Sequence, residues 1–277
     1  MSLLESFILG ALQGLTEFLP ISSSGHIMVG QYIFGLKEEP LTFNIATHLG
    51  AALAVITVYW KVIAKIFKDL FSLSGDGSAN LSLRLILLVL VASLPTAIIG
   101  LAFLEIFRSM FESLFVVAVA FFVTGTVLYI TEKRVAGRGP MKGDFFDLSG
   151  VVHVSYRQAL IVGVSQAFAL IPGISRAGAT IAAGLYCGLD RRNAALLSFM
   201  MSVPAILGAS IMESSRVVAI DPQELMPLAF GTLISYIFAI IGLKIVLSSV
   251  REGRLHIFSY YLWFLSIGLL GYIFLMA

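Results

Sequence analysis

Apolar residues run along this chain in long uninterrupted blocks. Residues 85–104 (LILLVLVASLPTAIIGLAFL) and 257–276 (IFSYYLWFLSIGLLGYIFLM) carry no charge. A helix of about twenty such residues matches a hydrocarbon core of about 30 Å. Six full spans are predicted, at roughly 43–60, 85–104, 113–131, 194–212, 226–247 and 257–276. Two further apolar stretches, 3–35 and 156–189, are broken in the middle by Pro, Gly and Ser. Irregular backbone at membrane depth is tolerated only inside protein or beside a water-filled cavity. Both stretches therefore read as re-entrant helix–turn–helix hairpins.

The two halves repeat. A shift of 153 positions places Gly10 on Gly163, Gln13 on Gln166, Ile21 on Ile174, Ser22 on Ser175 and Gly25 on Gly178. Each half is then one hairpin followed by three spans. Three is odd, so the second half starts from the opposite side of the membrane. The expected fold class is all-α: a polytopic membrane protein with about six transmembrane helices plus two re-entrant helical hairpins in an inverted-topology repeat. It forms one membrane domain over 1–277, with repeats at approximately 1–131 and 156–277. Such folds place their site near the midplane, where interrupted helices meet.

Composition agrees. Only 12% of residues are charged and 58% are hydrophobic, against about 25% charged in a soluble domain. The net charge of +2 does not suggest nucleic acid. A single cysteine, Cys187, excludes an intramolecular disulfide and a Cys-based zinc site. The N-terminus lacks a basic region and carries Glu5, so it does not read as a cleavable signal. Basic residues are strongly sided. Of the 18, all but Lys37, Arg108, Arg216 and the hairpin residue Arg176, that is 14, fall in the loops 61–84, 132–157, 190–193 and 244–256. The positive-inside rule makes that side cytoplasmic. Both termini and the mouth of the first hairpin are then expected outside the cytoplasm, in the cell (plasma or inner) membrane. Linker 132–157 reads as a solvated connector.

Ionisable residues at membrane depth are costly and mark function by default. Three lie in the hairpins: Glu17, His26 and Arg176. Gln13 and Glu17 share a helix face at i, i+4. Pro20 ends that helix, and Ser22, Ser23 and Ser24 lead into a second one, whose N-terminus suits an anion. His26 lies one turn after Ser23. In the second hairpin Pro172 and Gly173 break the chain and Ser175 caps the next helix. Arg176 then offers a planar fork for phosphate oxygens, and Thr180 adds a hydroxyl. Glu17 could instead be a buried partner of Arg176, and the serines could be caps alone. His48 reads as interfacial packing. Together these groups suit a phosphate or pyrophosphate.

EFLPISSSGH preceded by Gln13, together with PGISRAGAT, resembles the undecaprenyl pyrophosphate phosphatases of the bacitracin-resistance type. The resemblance covers nearly the whole chain. Ala177 stands where that family's second motif has a further serine, which removes one phosphate contact. The resemblance implies removal of one phosphate from a polyprenyl pyrophosphate, giving the lipid monophosphate carrier for cell-wall assembly, with tolerance to bacitracin. It implies a divalent cation, Mg2+ or Ca2+, held by Glu17 with help from Gln13. Glu17, Ser23, His26 and Arg176 are the expected catalytic residues. Ser23 is either the nucleophile, with His26 as its base, or a phosphate donor beside an attacking water. Gln13, Ser22, Ser24, Gly173, Ser175 and Thr180 are the expected substrate contacts. The partners expected are the lipid and the bilayer, with a homodimer left open. A transporter or flippase of a polyprenyl phosphate lipid is the rival reading, because broken helices in inverted repeats also build transporters.

Overall fold

The computed structural model describes all residues except 35–40, 72–77, 142, 218–221 and 277. Lys37 and Lys142, which entered the charge asymmetry, lie outside the described residues. Among the described residues there is no strand. The helices are α1 (Leu3–Phe18), α2 (Ser23–Phe34), α3 (Leu41–Val58), α4 (Trp60–Phe71), α5 (Ser78–Ala102), α6 (Leu104–Met110), α7 (Leu114–Val135), α8 (Tyr156–Phe168), α9 (Arg176–Tyr186), α10 (Arg191–Ser214), α11 (Leu225–Glu252) and α12 (Ile257–Met276). Six of them, α3, α5, α7, α10, α11 and α12, are long and apolar enough to cross a membrane. The two helix pairs α1–α2 and α8–α9 occupy the two broken stretches. With 11 residues, α9 rises only about 16 Å, half of a hydrocarbon core.

Both hairpins begin alike. Ser2 caps α1 and Glu5 reaches back to the Ser2 backbone; Ser155 caps α8 and Gln158 reaches back in the same way. These capping boxes satisfy donors that the first turn leaves unpaired. Their positions differ by the same 153 as the hairpin motifs. Packing follows suit: α1 lies along α11, and α8 lies along α5. A glycine allows each approach. A Cβ on Gly10 would sit 2.6 Å from the Gly231 carbonyl oxygen, and one on Gly163 would run into the Ala92 carbonyl. The α3 helix also packs on α11, and α7 packs on α12. Phe18, Tyr59, Phe121 and Phe199 are fully buried in the core that the helices enclose.

Two loop assignments change. Residues 61–84 are not all loop, because Trp60–Phe71 is helical and α5 already starts at Ser78. Linker 132–157 is tied down rather than solvated throughout. Phe145, Leu148, Val151 and Val154 are buried. Arg84 donates to the carbonyls of Val151 (3.2 Å) and Val154 (2.7 Å). At the end of α7, buried Glu132 meets buried Arg191 at 2.5 Å, and its other oxygen accepts from Leu255 N at 3.4 Å. Arg191 Nε donates to the Gly139 carbonyl at 3.3 Å. A charge pair shielded this well loses much of its desolvation cost only when its remaining lone pairs and protons are bonded. Here those bonds clamp α7, the linker, α10 and the α11–α12 turn together.

Candidate active site

The site forms where the two hairpin tips meet. After α1 the chain turns through Leu19–Ser22. Among the described residues, Ser22 is the one non-glycine residue in the left-handed region, at φ 70°. Such a conformation costs roughly 1–3 kcal/mol and persists only where the surroundings enforce it. It reverses the chain so that α2 starts at Ser23 beside the end of α1. In the second hairpin Gly173 makes the turn at φ 94°. Ser175 then caps α9 by accepting from Gly178 N at 3.1 Å, and its hydroxyl donates to the Leu19 carbonyl at 3.4 Å. Thr124 of α7 donates to the Gly173 carbonyl (3.1 Å) and accepts from Ser175 N (3.3 Å). Gly25 lets the tips touch, since a Cβ there would lie 3.0 Å from Gly173 Cα and inside the Phe121 ring.

Glu17 is the centre of this arrangement. It is 8% exposed. Its Oε1 accepts from Arg176 Nη2 at 2.5 Å. Its Oε2 accepts from Ser23 Oγ at 2.5 Å and from Gln13 Nε2 at 2.9 Å. Arg176 Nη1 donates to the Ser202 carbonyl at 3.2 Å. Two of the five guanidinium N–H donors are thus used, leaving others for a ligand. A carboxylate, a hydroxyl, a guanidinium and the first turns of α2 and α9 converge within one hydrogen-bonded cluster. Helix first turns present free N–H groups and a partial positive charge to an anion.

No direct hydrogen bond joins Ser23 to His26, whose ring nitrogens bond to other groups. A carbonyl can only accept, so His26 Nδ1 donates to the Ser22 carbonyl at 2.7 Å. His26 Nε2 is then the acceptor, and it meets Tyr261 Oη of α12 at 2.7 Å. The Tyr261 ring lies nearly parallel to the imidazole, with centroids 5.6 Å apart. Both ring nitrogens are taken, so His26 holds the strained Ser22 turn, and the group touching Ser23 is Glu17. Two of the expected substrate contacts bond within the protein. Thr180 is fully buried and its hydroxyl is spent on Ser198 Oγ (2.6 Å) and the Arg176 carbonyl (2.7 Å). Ser175 is 1% exposed and acts as the cap described above. Gly173 shapes the turn, and Ser22 and Ser24 pair through their hydroxyls at 3.2 Å. Ala177 packs into the apolar core, so a hydroxyl at that position would face the core.

Two further residues lie against this cluster: His48, which the sequence reads as interfacial packing, and one that it does not single out. His48 of α3 donates from Nδ1 to the Asn44 carbonyl at 2.8 Å and aims Nε2 at Glu17 Oε2, 3.7 Å away. The other is Tyr261. His48 is an ionisable group inside a span, which was the available signal. Tyr261 sits in an apolar stretch with no signal at all.

The donor set can be tested for a divalent cation. Gln13 Oε1 is buried without a hydrogen-bond partner. It is a carbonyl-type oxygen on the residue that holds Glu17, and His48 Nε2 lies 3.7 Å from the same carboxylate. Mg2+ takes one or two carboxylates and completes its shell with water and substrate phosphates. Glu17 with Gln13 meets that modest demand. Among the described residues no group of three or more His, Cys, Asp or Glu gathers, at this site or elsewhere, so a cation here would rest on Glu17 and Gln13 with water and phosphate.

The sequence profile of the bacitracin resistance protein BacA family matches residues 6–268. This chain belongs to that family. Among its curated relatives is an undecaprenyl-diphosphatase of Desulforapulum autotrophicum, 38% identical over 279 residues and 95% of each chain. One from Carboxydothermus hydrogenoformans is 36% identical, covering 98% of this chain and 97% of its own. An undecaprenyl-diphosphatase 4 from Bacillus thuringiensis subsp. konkukian is 38% identical over 96% of both chains. With six apolar helices and this family membership, the protein is an integral, multi-pass membrane protein.

Proposed function

We propose that the protein hydrolyses an undecaprenyl-type polyprenyl pyrophosphate to the lipid monophosphate and inorganic phosphate. The observation that carries the chemistry is the Glu17 carboxylate, bonded at once to Ser23 Oγ and to Arg176. The relatives named above carry the substrate class. A nucleophilic hydroxyl is weak until a base takes its proton. Glu17 Oε2 is placed to take it, in the role the sequence had given to His26. Ser23 Oγ would bond to the terminal phosphorus as the bond to the bridging oxygen breaks, and the lipid monophosphate would leave. Water would then release phosphate from the serine. Charge spreads onto the phosphate oxygens in such displacements. Arg176 and the uncapped N–H groups at the starts of α2 and α9 would meet it. Glu17 and Gln13 would hold a bound Mg2+ or Ca2+, which supplies further positive charge beside the phosphates. His26, backed by Tyr261, keeps the Ser22 turn in place.

The basic loops mark the cytoplasmic side, so the first hairpin opens outward and the termini lie outside. The test is phosphate release from a C55 polyprenyl pyrophosphate by purified protein, with and without chelator. Release that stops with chelator and returns with Mg2+ supports both the reaction and the metal. Folded, metal-supplied protein that releases no phosphate yet moves labelled lipid between leaflets would establish the transporter reading instead.

A further inference from the structure

Away from the hairpins, α4 presents a surface that the reaction does not use. Its residues divide into three stripes. Val62 and Asp69 are buried. Asp69 accepts from Ser82 of α5 at 2.6 Å and pairs with Lys65 at 3.2 Å, which fixes how α4 lies on α5. Trp60, Phe67 and Phe71 follow one another at helical spacing, and with Leu70 they are 61%, 59%, 83% and 51% exposed. Beside them run Lys61, Lys65 and Lys68 at i, i+4 and i+7. Lys61 and Lys68 are exposed and, among the described residues, make no ion pair.

Large apolar side chains left open beside a lysine stripe are the pattern of a helix lying in the plane of a membrane surface. The rings enter the headgroup–acyl boundary and the ammonium groups stay among the headgroups. The short helix α6 gives an internal comparison. It exposes Ile106 at 53%, and Phe103 just before it is 50% exposed. Its Arg108, however, is already paired with Glu105 at 2.7 Å and Glu213 at 3.2 Å. Of these two helices, α4 is the one whose cations Lys61 and Lys68 have no acidic partner among the described residues.

We infer that α4 is an interfacial anchor that selects anionic phospholipid, with Lys61 and Lys68 as the headgroup contacts and Trp60, Phe67 and Phe71 as the apolar seat. Each lysine near an anionic surface contributes on the order of 1 kcal/mol, which is about a fivefold local enrichment per lysine. This surface lies on the basic side of the molecule and does not depend on the chemistry of the hairpins.

The test uses the full chain carrying Trp263→Phe, which leaves Trp60 as the single fluorophore. The protein is reconstituted in vesicles of phosphatidylcholine with a minor fraction of phosphatidylglycerol, and one lipid or the other is brominated. At equal mole fraction, brominated phosphatidylglycerol should quench Trp60 several-fold more than brominated phosphatidylcholine. The preference should shrink in high salt and vanish in Lys61→Gln/Lys68→Gln, which spares the Lys65–Asp69 pair. Equal quenching by both lipids overturns the proposal, as does a preference that survives the double substitution. Absence of quenching by either lipid also overturns it, because protein rather than lipid then covers α4. Should Trp263→Phe fail to fold, native mass spectrometry of the wild-type and Lys61→Gln/Lys68→Gln chains decides. Equal retention of phosphatidylglycerol by the two chains refutes lysine-based selection.

Discussion

Replacing Arg176 with lysine separates the fork from the charge. Removing the cation altogether would leave Glu17 buried and unpaired, at a cost of about 3–5 kcal/mol, and lost folding would mask lost chemistry. Lysine keeps a positive charge beside Glu17. It cannot also reach the Ser202 carbonyl, which Arg176 Nη1 holds at 3.2 Å while Nη2 holds Glu17. The folded state should therefore lose one hydrogen bond, about 0.5–1.5 kcal/mol. The transition state should lose more, because the planar pair of donors that meets two phosphate oxygens is gone. On the scale of a missing oxyanion donor, about 2.7–4 kcal/mol, kcat should fall about 10²- to 10³-fold. Two measurements are needed: phosphate release at saturating lipid pyrophosphate, and the midpoint of thermal unfolding in detergent. A small drop in midpoint with a large drop in kcat is the expected pair. A folded Arg176→Lys protein that turns over near the wild-type rate refutes the clamp and leaves Arg176 as a structural partner of Glu17.

Other substitutions address other parts of the site. Ser23→Ala should abolish phosphate release, and rapid acid quench of the wild type should trap phosphoserine at 23. A residual rate set only by a lost donor, roughly 2.7–4 kcal/mol, with no phosphoenzyme would favour direct attack by water. Tyr261→Phe keeps the ring and loses the donor to His26, so kcat should drop by the worth of one hydrogen bond, about 0.5–1.5 kcal/mol or up to tenfold, with an unchanged rate removing Tyr261 from the site. Gly163→Ala should destabilise the protein by about 1–3 kcal/mol through overlap with the Ala92 carbonyl. Gly268→Ala, which meets nothing within 4 Å, should leave the unfolding midpoint unchanged. In a Cys187→Ala background, an impermeant thiol reagent applied outside should label Glu112→Cys and spare Gly137→Cys; the reverse pattern inverts the topology.

Much of this fold could be read from the chain because its signals are local. Pro20, Pro172 and Gly173 punctuate stretches too apolar for loops and too broken for spans, so the hairpins stood out. The site was legible as an inventory and less so as a geometry. A one-turn spacing suggested that His26 serves Ser23. That spacing does not say where the ring points, and Ser22 at φ 70° reverses the chain so that Glu17 reaches Ser23 first. Serine does not announce a left-handed turn as glycine does. Thr180 and Ser175 were seen as hydroxyls, but whether a hydroxyl faces a ligand or a neighbouring helix depends on packing. Tyr261 lies 235 residues from His26. The lysine and aromatic stripes of α4 were present at helical spacing in 60–71 and were passed over as loop, because the segment is short and follows a span directly.

The same comparison explains why two matching hairpins carry unlike chemistry. Under the 153-residue shift Gln13 faces Gln166 and Ser22 faces Ser175, but Glu17 corresponds to Leu170, Ser23 to Arg176 and His26 to Ala179. Gln166 still reaches a neighbour, Thr96 Oγ1 at 3.0 Å, and its Oε1 is unpartnered like that of Gln13. On the proposed function, the backbone offers two equivalent helix starts to one anion. A pyrophosphate between them needs one attacking oxygen and one fixed cation, so identical residues at 23 and 176 would supply two of one and none of the other. One carboxylate can serve both positions, accepting the Ser23 proton on Oε2 while holding Arg176 on Oε1. Leu170, at the position equivalent to Glu17, is partly exposed and lies against Gly100 of α5 instead. The symmetry supplies the anion-binding frame, and the departures from it supply the reaction.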